Sequence, residues 1–146
     1  MAQQSLDFTF WNEQWKQGYY DREKGIRANP LIEYWDKRAS DFSLMRKSND
    51  YDFSRKVYAA LSSVLNSDST ILDIGAGPGS FTIPFAQHTK SVTAIEPSKG
   101  MVEVLKENAK EAGVENFNII EELIQDLPQD DSSDFQFNLV VVSLVL

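Results

Sequence analysis

The sequence predicts an α/β protein with a mainly parallel sheet, and three observations carry that prediction. From Thr70 onward, short apolar runs alternate with helix-like stretches at a spacing that suits right-handed crossovers. The apolar runs, "TILDI", "SVTAIE", "NFNII" and "QFNLVVVSLVL", are nearly continuous, the last most of all, as expected of strands covered on both faces. The first run leads into "GAGPGS", a glycine-rich turn placed between a strand and a helix.

Ahead of the sheet the chain reads as helical. In the aromatic segment Phe8 to Tyr20, residues Phe8, Trp11 and Trp15 share one helix face. Asn29-Pro30 is a natural helix start, and "LIEYWDKRASDFSLM" follows it with Leu31, Tyr34 or Trp35, and Arg38 or Ala39 in register. A third helix, from Asp52 to about Asn66, places Phe53, Val57, Ala60, Leu61, Val64 and Leu65 on a core-facing stripe. Between the strands, "FTIPFAQHT" is a helix with an early proline. "PSKGMVEVLKENAKEAG" is a helix opened by Ser98 and stopped by Gly113, and "QDLPQDDSSD" is a loop. The expected organisation is an aromatic-rich helical cap over residues 1–48 and an α/β domain over 49–146.

Composition narrows the function classes. The 146 residues suit one core, and 42% hydrophobic with 25% charged residues describes an ordinary globular chain. No apolar run approaches the roughly 20 residues that span a bilayer, and the first residues do not resemble a secretory signal; the expected location is the cytoplasm, with no membrane partner. With no cysteine, thiolate metal sites and cysteine nucleophiles are absent, and no metal site is expected. The net charge of −8 is uneven: residues 1–56 carry ten Lys/Arg against nine Asp/Glu, and residues 57–146 carry four against thirteen. A duplex nucleic-acid binder needs a cationic surface, so no nucleic-acid partner is expected and a small or cationic ligand fits better.

The glycine turn carries the chemistry. In a dinucleotide fingerprint G-x-G-x-x-G the third glycine would fall at Ser80. Pro78 lacks an N–H, Asp73 adds negative charge beside the turn, and no Lys or Arg offsets it. These features disfavour a pyrophosphate and suit a ligand that is positive at this point, such as an ammonium or sulfonium. Glu96 ends the second strand 21 residues beyond Gly75, where doubly wound nucleoside sites place an acid for ribose hydroxyls. Pro97 and Met101 follow as an apolar pair able to flank a purine.

Asp73-Ile-Gly75-Ala-Gly77-Pro-Gly79, then Val92 to Glu96 with Pro97, then "QDLP" and "FNLVVVSLVL", resemble the successive signature segments of the class I S-adenosylmethionine-dependent methyltransferases. The resemblance covers about residues 50–146, and "YWDKRASDF" is similar to the N-terminal cap of many small-molecule members. It implies a Rossmann-like sheet of seven strands ordered 3-2-1-4-5-7-6, of which this chain holds the first four. It further implies S-adenosylmethionine as cofactor, S-adenosylhomocysteine as product and a small-molecule methyl acceptor. Residue by residue, the backbone at Gly75, Ala76 and Gly77 would face the methionine part of the cofactor, with Asp73 orienting that turn and assisting with the amino group. Glu96 would take the ribose hydroxyls, and Pro97 and Met101 would lie against adenine. Where many relatives read "G-D-A-x-x-L-P", with an acid accepting from the adenine amino group, this chain has Leu123 at the acid's position. The backbone N–H of Ile124 is then the candidate for a ring nitrogen, with Glu122 or Asp126 as substitutes if the loop shifts. Asn138 stands where relatives usually carry Asp.

The chain ends at Leu146 on its most apolar strand, so the expectation is a truncated member with an uncovered fourth strand open to self-association. No general base is nominated. His88, the single histidine, falls near the end of the helix after the glycine turn and reads as structural. Trp11, Trp15, Tyr19, Tyr20 and Trp35 are candidates either for core packing or for an acceptor pocket. Two other readings stand beside the methyltransferase: a noncatalytic S-adenosylmethionine-binding or interaction module, and an NAD-dependent oxidoreductase.

Overall fold

The computed structural model describes residues 30–127 and 136–143; the aromatic segment Phe8 to Tyr20 lies outside them. The described elements are α1 (Pro30–Ser48), α2 (Asp52–Leu61), β1 (Thr70–Ile74), α3 (Thr82–Ala86), β2 (Ser91–Ile95), α4 (Lys99–Ala112), β3 (Phe117–Ile120), a 3-10 turn (Ile124–Asp126) and β4 (Leu139–Val142). All four strands are parallel and lie in the order β3-β2-β1-β4. This is the Rossmann-like arrangement, in which the strand order switches direction between β1 and β4.

Register follows from burial. Val92 and Ala94 of β2, both 0% exposed, pair with Ile71 and Asp73 of β1, so the inner strands put side chains into the core at matched levels. Ile71, Phe81, Ile83, Phe85 and Val92 form the main cluster, with Phe85 edge-on to Phe81 and Tyr58 at 5.7 and 5.4 Å. The start of β4 is set by Asn138, whose Oδ1 accepts from Thr70 N–H at 2.8 Å while its own N–H donates to Thr70 O at 2.8 Å.

α4 begins and ends as its sequence implies. The Ser98 hydroxyl accepts from Met101 N–H at 3.1 Å, and Gly113 closes the helix at φ 66°. Pro84 lies in the first turn of α3, where its missing N–H costs no helical bond.

The expected extent of α2 needs correction. α2 ends at Leu61 rather than near Asn66, because Ser62 N–H turns back to Ala59 O and Val64 and Leu65 both bond to Leu61 O. Of the expected stripe, Val57, Leu61 and Leu65 do meet the core, joined by Ser54 and Tyr58, whereas Ala60, Val64 (68%) and Phe53 (62%) are exposed, Phe53 still lying edge-on to Phe81 at 6.0 Å. β4, whose apolar run suits two-sided burial but which was also expected to be left uncovered, alternates: Leu139 and Val141 join the core, whereas Val140 and Val142 are 51% and 62% exposed. Among the described residues β4 pairs only with β1, and nothing covers its second face.

α1 belongs to the same compact unit as the sheet. Asp36 bonds to Ser98 and Gly100, Ser43 to Asn108, and Lys47 to Glu111. Contacts ascending together on both helices mean that α1 and α4 run parallel, side by side. Among the described residues, no helix is long and apolar enough to cross a membrane.

Candidate cofactor site

The ends of β1 and β2 are bound together by the glycine turn. Gly75, Gly77 and Gly79 take φ values of 70°, 55° and 89°, a left-handed backbone that other residues adopt at a cost. This curl points the turn's amides back into the chain. Gly75 and Ala76 N–H both donate to Ile95 O, at 2.8 and 3.1 Å, and Gly79 N–H donates to Ala76 O at 3.1 Å. Gly77 N–H donates to Glu96 Oε2 at 2.7 Å, while Glu96 Oε1 accepts from Ser98 N–H at 2.9 Å.

Glu96 is therefore a clasp between the turn after β1 and the turn after β2. It is only 7% exposed. Burial pushes its carboxyl up from the ordinary value; the hydrogen bonds from Ser98 and Gly77 oppose that rise, and the charge of Asp36 adds to it. A carboxylate offers about four acceptor positions, so the two taken bonds leave acceptor capacity for a ligand.

Met101 is 3% exposed, and its Sδ lies 4.0 Å from where a Cβ on Gly77 would stand. Pro97 is half-buried between Glu96 and Ser98. Asp73, 2% exposed, accepts from the Thr82 hydroxyl at 2.6 Å, which ties the end of β1 to the start of α3. Leu123 and Ile124 sit beyond β3 at the same carboxyl edge of the sheet. Leu123 is half-buried and Ile124 is 43% exposed. Ile124 opens the 3-10 turn closed by Asp126 N–H on Leu123 O, a position whose own N–H has no partner within the turn. Glu122 and Asp126 are exposed.

Burial raises the Asp73 carboxyl from 3.8 to about 6, against the hydrogen bonds from Thr82 and with a contribution from the charge of Glu96. Because the folded value lies above the unfolded one, the stability this group contributes is fully present below about pH 3.8 and is lost as pH rises through about 6. Asp73→Asn removes the titration. The unfolding free energy of wild type relative to this variant is expected to fall by about 2 kcal/mol between about pH 4 and pH 7. Urea unfolding of both proteins at the two pH values measures this, and a pH-independent difference would contradict it.

Three contributors escaped sequence reasoning. Asp36 Oδ1 accepts from the Ser98 hydroxyl at 2.7 Å and from Gly100 N–H at 2.9 Å. Asn108 Nδ2 donates to Ser43 Oγ at 2.8 Å and to Pro78 O at 3.0 Å, with both side chains buried, so the glycine turn is also held from α4. The signals available were a buried-side asparagine at helical spacing from Met101 and Leu105, and an acid in "YWDKRASDF"; neither names a partner 30 or more residues away.

The other sequence candidates lie elsewhere or outside the described residues. His88 is exposed and stacks on Tyr58, with ring centroids 4.8 Å apart. Trp35 is half-buried against Tyr34 and Phe42, whereas Trp11, Trp15, Tyr19 and Tyr20 fall outside the described residues. A surface hollow of ≈ 340 Å³ between Lys106, Lys110, Val114 and Phe117 shares no residue with the site. Among the described residues, no three His, Cys, Asp or Glu side chains gather as a metal site.

Comparison with known proteins agrees with this geometry. The family model described as "Methyltransferase domain" matches residues 71–146. YcgJ of Bacillus subtilis, a methyltransferase, is 38% identical over 65 residues, which are 44% of this chain and 26% of YcgJ. Its crystal structure superposes with a TM-score of 0.50 and 28% identity, covering 61% of this chain and 36% of that one. The 23S rRNA (uracil(1939)-C(5))-methyltransferase RlmD of Alcanivorax borkumensis is 41% identical over 68 residues, 47% of this chain and 15% of RlmD. The fold is shared with phosphoethanolamine N-methyltransferase 1 of Haemonchus contortus, at a TM-score of 0.52 and 24% identity over 74% of this chain and 23% of that one. The chain spans about a third or less of the length of the curated relatives it matches. With its sheet order, glycine turn and matched segment all in place, the chain belongs to the methyltransferase-domain family.

Proposed function

We propose that the chain supplies the S-adenosylmethionine-binding part of a methyltransferase acting on a small-molecule acceptor. The observation that carries this reading is the Glu96 clasp, a buried acid with acceptor capacity to spare beside a glycine turn whose own amides are already taken. A pyrophosphate needs free N–H donors. Here Gly75, Ala76, Gly77 and Gly79 donate within the chain, and Pro78 has nothing to donate. That supports a nucleoside with a cationic or neutral tail over a dinucleotide.

The residues fit such a group. At Gly77 the backbone is bare, with only Met101 Sδ near the place of a Cβ, so a ligand can lie against it. Glu96 would hold both ribose hydroxyls, Pro97 and Met101 would flank adenine, and Ile124 N–H would meet a ring nitrogen. Gly75, Ala76 and Gly77 would line the methionine portion, with Asp73 holding the turn from behind. When bound, S-adenosylmethionine supplies a methyl carbon activated by its sulfonium and is left as S-adenosylhomocysteine. The chain's own work is to align and to exclude water; no side chain among those described is assigned as a base.

The acceptor class rests on the anionic charge of residues 57–146. Relatives include ribosomal RNA methyltransferases, so family membership alone does not separate a small molecule from RNA. The uncovered face of β4, with Val140 and Val142 exposed, is the proposed surface for self-association. Calorimetric titration of the full chain with S-adenosylmethionine, S-adenosylhomocysteine and NAD tests the cofactor reading. Saturable binding of the first two without NAD is expected. NAD binding at the same site, or no binding by a folded chain, would overturn it.

A further inference from the structure

We infer that Asp36 is a positioning residue for the cofactor site: from α1 it sets the Ser98–Met101 turn on which the ribose and adenine contacts depend. The inference rests on the cofactor reading above and adds to it a residue from outside the matched segment 71–146.

One carboxylate oxygen of Asp36 takes two donors from this turn, the Ser98 hydroxyl at 2.7 Å and Gly100 N–H at 2.9 Å. Ser98 is 1% exposed and has further duties, since its N–H donates to Glu96 and its hydroxyl accepts from Met101 N–H. Asp36 is thus one residue removed from Glu96 on one side and from Met101 on the other. The approach is close enough to need a glycine: a Cβ on Gly100 would stand 2.7 Å from Asp36 O and 3.0 Å from its Cα. Farther along the same helix pair, Ser43 reaches Asn108, whose second hydrogen goes to Pro78 O in the glycine turn. α1 therefore grips both turns of the site, through the exposed Asp36 bonding to Ser98 and Gly100 at one and through the buried Ser43–Asn108 pair at the other. The exposed contact between Lys47 and Glu111, at the far end of the pair, touches neither.

The test compares wild type, Asp36→Ala, Asp36→Asn and Ala39→Gly in the full chain, using S-adenosylhomocysteine as the calorimetric probe and thermal unfolding without ligand as the stability measure. Asp36→Ala removes the acceptor and is expected to weaken binding by about 10-fold or more. In Asp36→Asn the amide oxygen still accepts from both donors, so binding is expected to return to within about 3-fold of wild type. Ala39→Gly loosens α1 at a buried position one helical turn along from Asp36 without removing a hydrogen-bonding side chain; it is expected to lower the unfolding temperature while leaving affinity within about 3-fold. In ligand-free protein, the amide resonances of Ser98, Gly100 and Met101 are expected to move in Asp36→Ala and to exchange faster with solvent. Wild-type binding left intact by Asp36→Ala would overturn the inference alone. So would affinity losses in Ala39→Gly and Asp36→Ala that simply track stability. Absence of wild-type binding would overturn the cofactor reading and this inference with it, even if the amide shifts were seen.

Discussion

Glu96→Ala is expected to weaken S-adenosylhomocysteine binding by about 100-fold, which is about 2.7 kcal/mol. Two losses combine. The proposed ribose contacts disappear, each a hydrogen bond to a charged acceptor of about 1.5–3 kcal/mol. The clasp that holds Gly77 against Ser98 disappears as well, leaving two amides without their acceptor. Glu96→Gln separates charge from shape in an unusual way. Its single amide oxygen can serve Gly77 or Ser98 but not both, and its NH₂ faces a donor on the other side. The glutamine variant is therefore expected to bind almost as poorly as the alanine variant. Calorimetry on both variants checks this, and near-normal affinity in Glu96→Gln would show that the clasp does not govern the site.

Gly79→Ala is expected to cost about 2–5 kcal/mol of stability, combining about 1–2 kcal/mol for a left-handed backbone with about 1–3 kcal/mol for crowding. At φ 89°, its Cβ would stand 3.0 Å from Ile83 Cδ1 and 3.2 Å from Leu105 Cγ. For a chain of this size the unfolding temperature should fall by roughly 5–15 °C. Gly113→Ala provides the matching control, with φ 66° and nothing within 4 Å of the added carbon. It is expected to lose only the backbone part, about 1–2 kcal/mol. Equal losses at the two glycines, measured by thermal unfolding, would mean that the turn is not packed against α3 and α4 as described.

The features legible in the sequence are those with a local physical cause. Strand and helix alternate with characteristic spacings because successive side chains project at fixed angles, so β1 to β4 and α4 are readable from periodicity alone. Ser98 and Gly113 mark the ends of α4 because a hydroxyl satisfies an unpaired amide and a glycine accepts a left-handed backbone. The glycine turn and the acid at Glu96 are visible for the same reason, since each is tied to its own strand end. Periodicity named Val57, Leu61 and Leu65 of the α2 stripe correctly but included too much, because the rotation and end of a helix are chosen by what it packs on. Tyr58 packs edge-on to Phe85, while Ala60 and Val64 are left exposed and Phe53 meets the core only through the edge of Phe81. The apolar run of β4 shows only that a cover is favourable; among the described residues one face is buried by Leu139 and Val141 and the other is left exposed at Val140 and Val142.

By itself, then, the sequence determined the order of elements, the parallel class of the sheet, the glycine turn and the acidic partner that follows it. The tertiary structure alone decided how those pieces are held. It placed Asp36 on Ser98 and Gly100 across 62 and 64 residues, and Asn108 on Pro78 across 30. It also turned the amides of Gly75, Ala76 and Gly77 inward onto Ile95 and Glu96. The physical reason is that a buried polar group must find a partner, while its residue type does not say which one. That choice is made by the packing of α1 beside α4, a long-range event that no local pattern encodes.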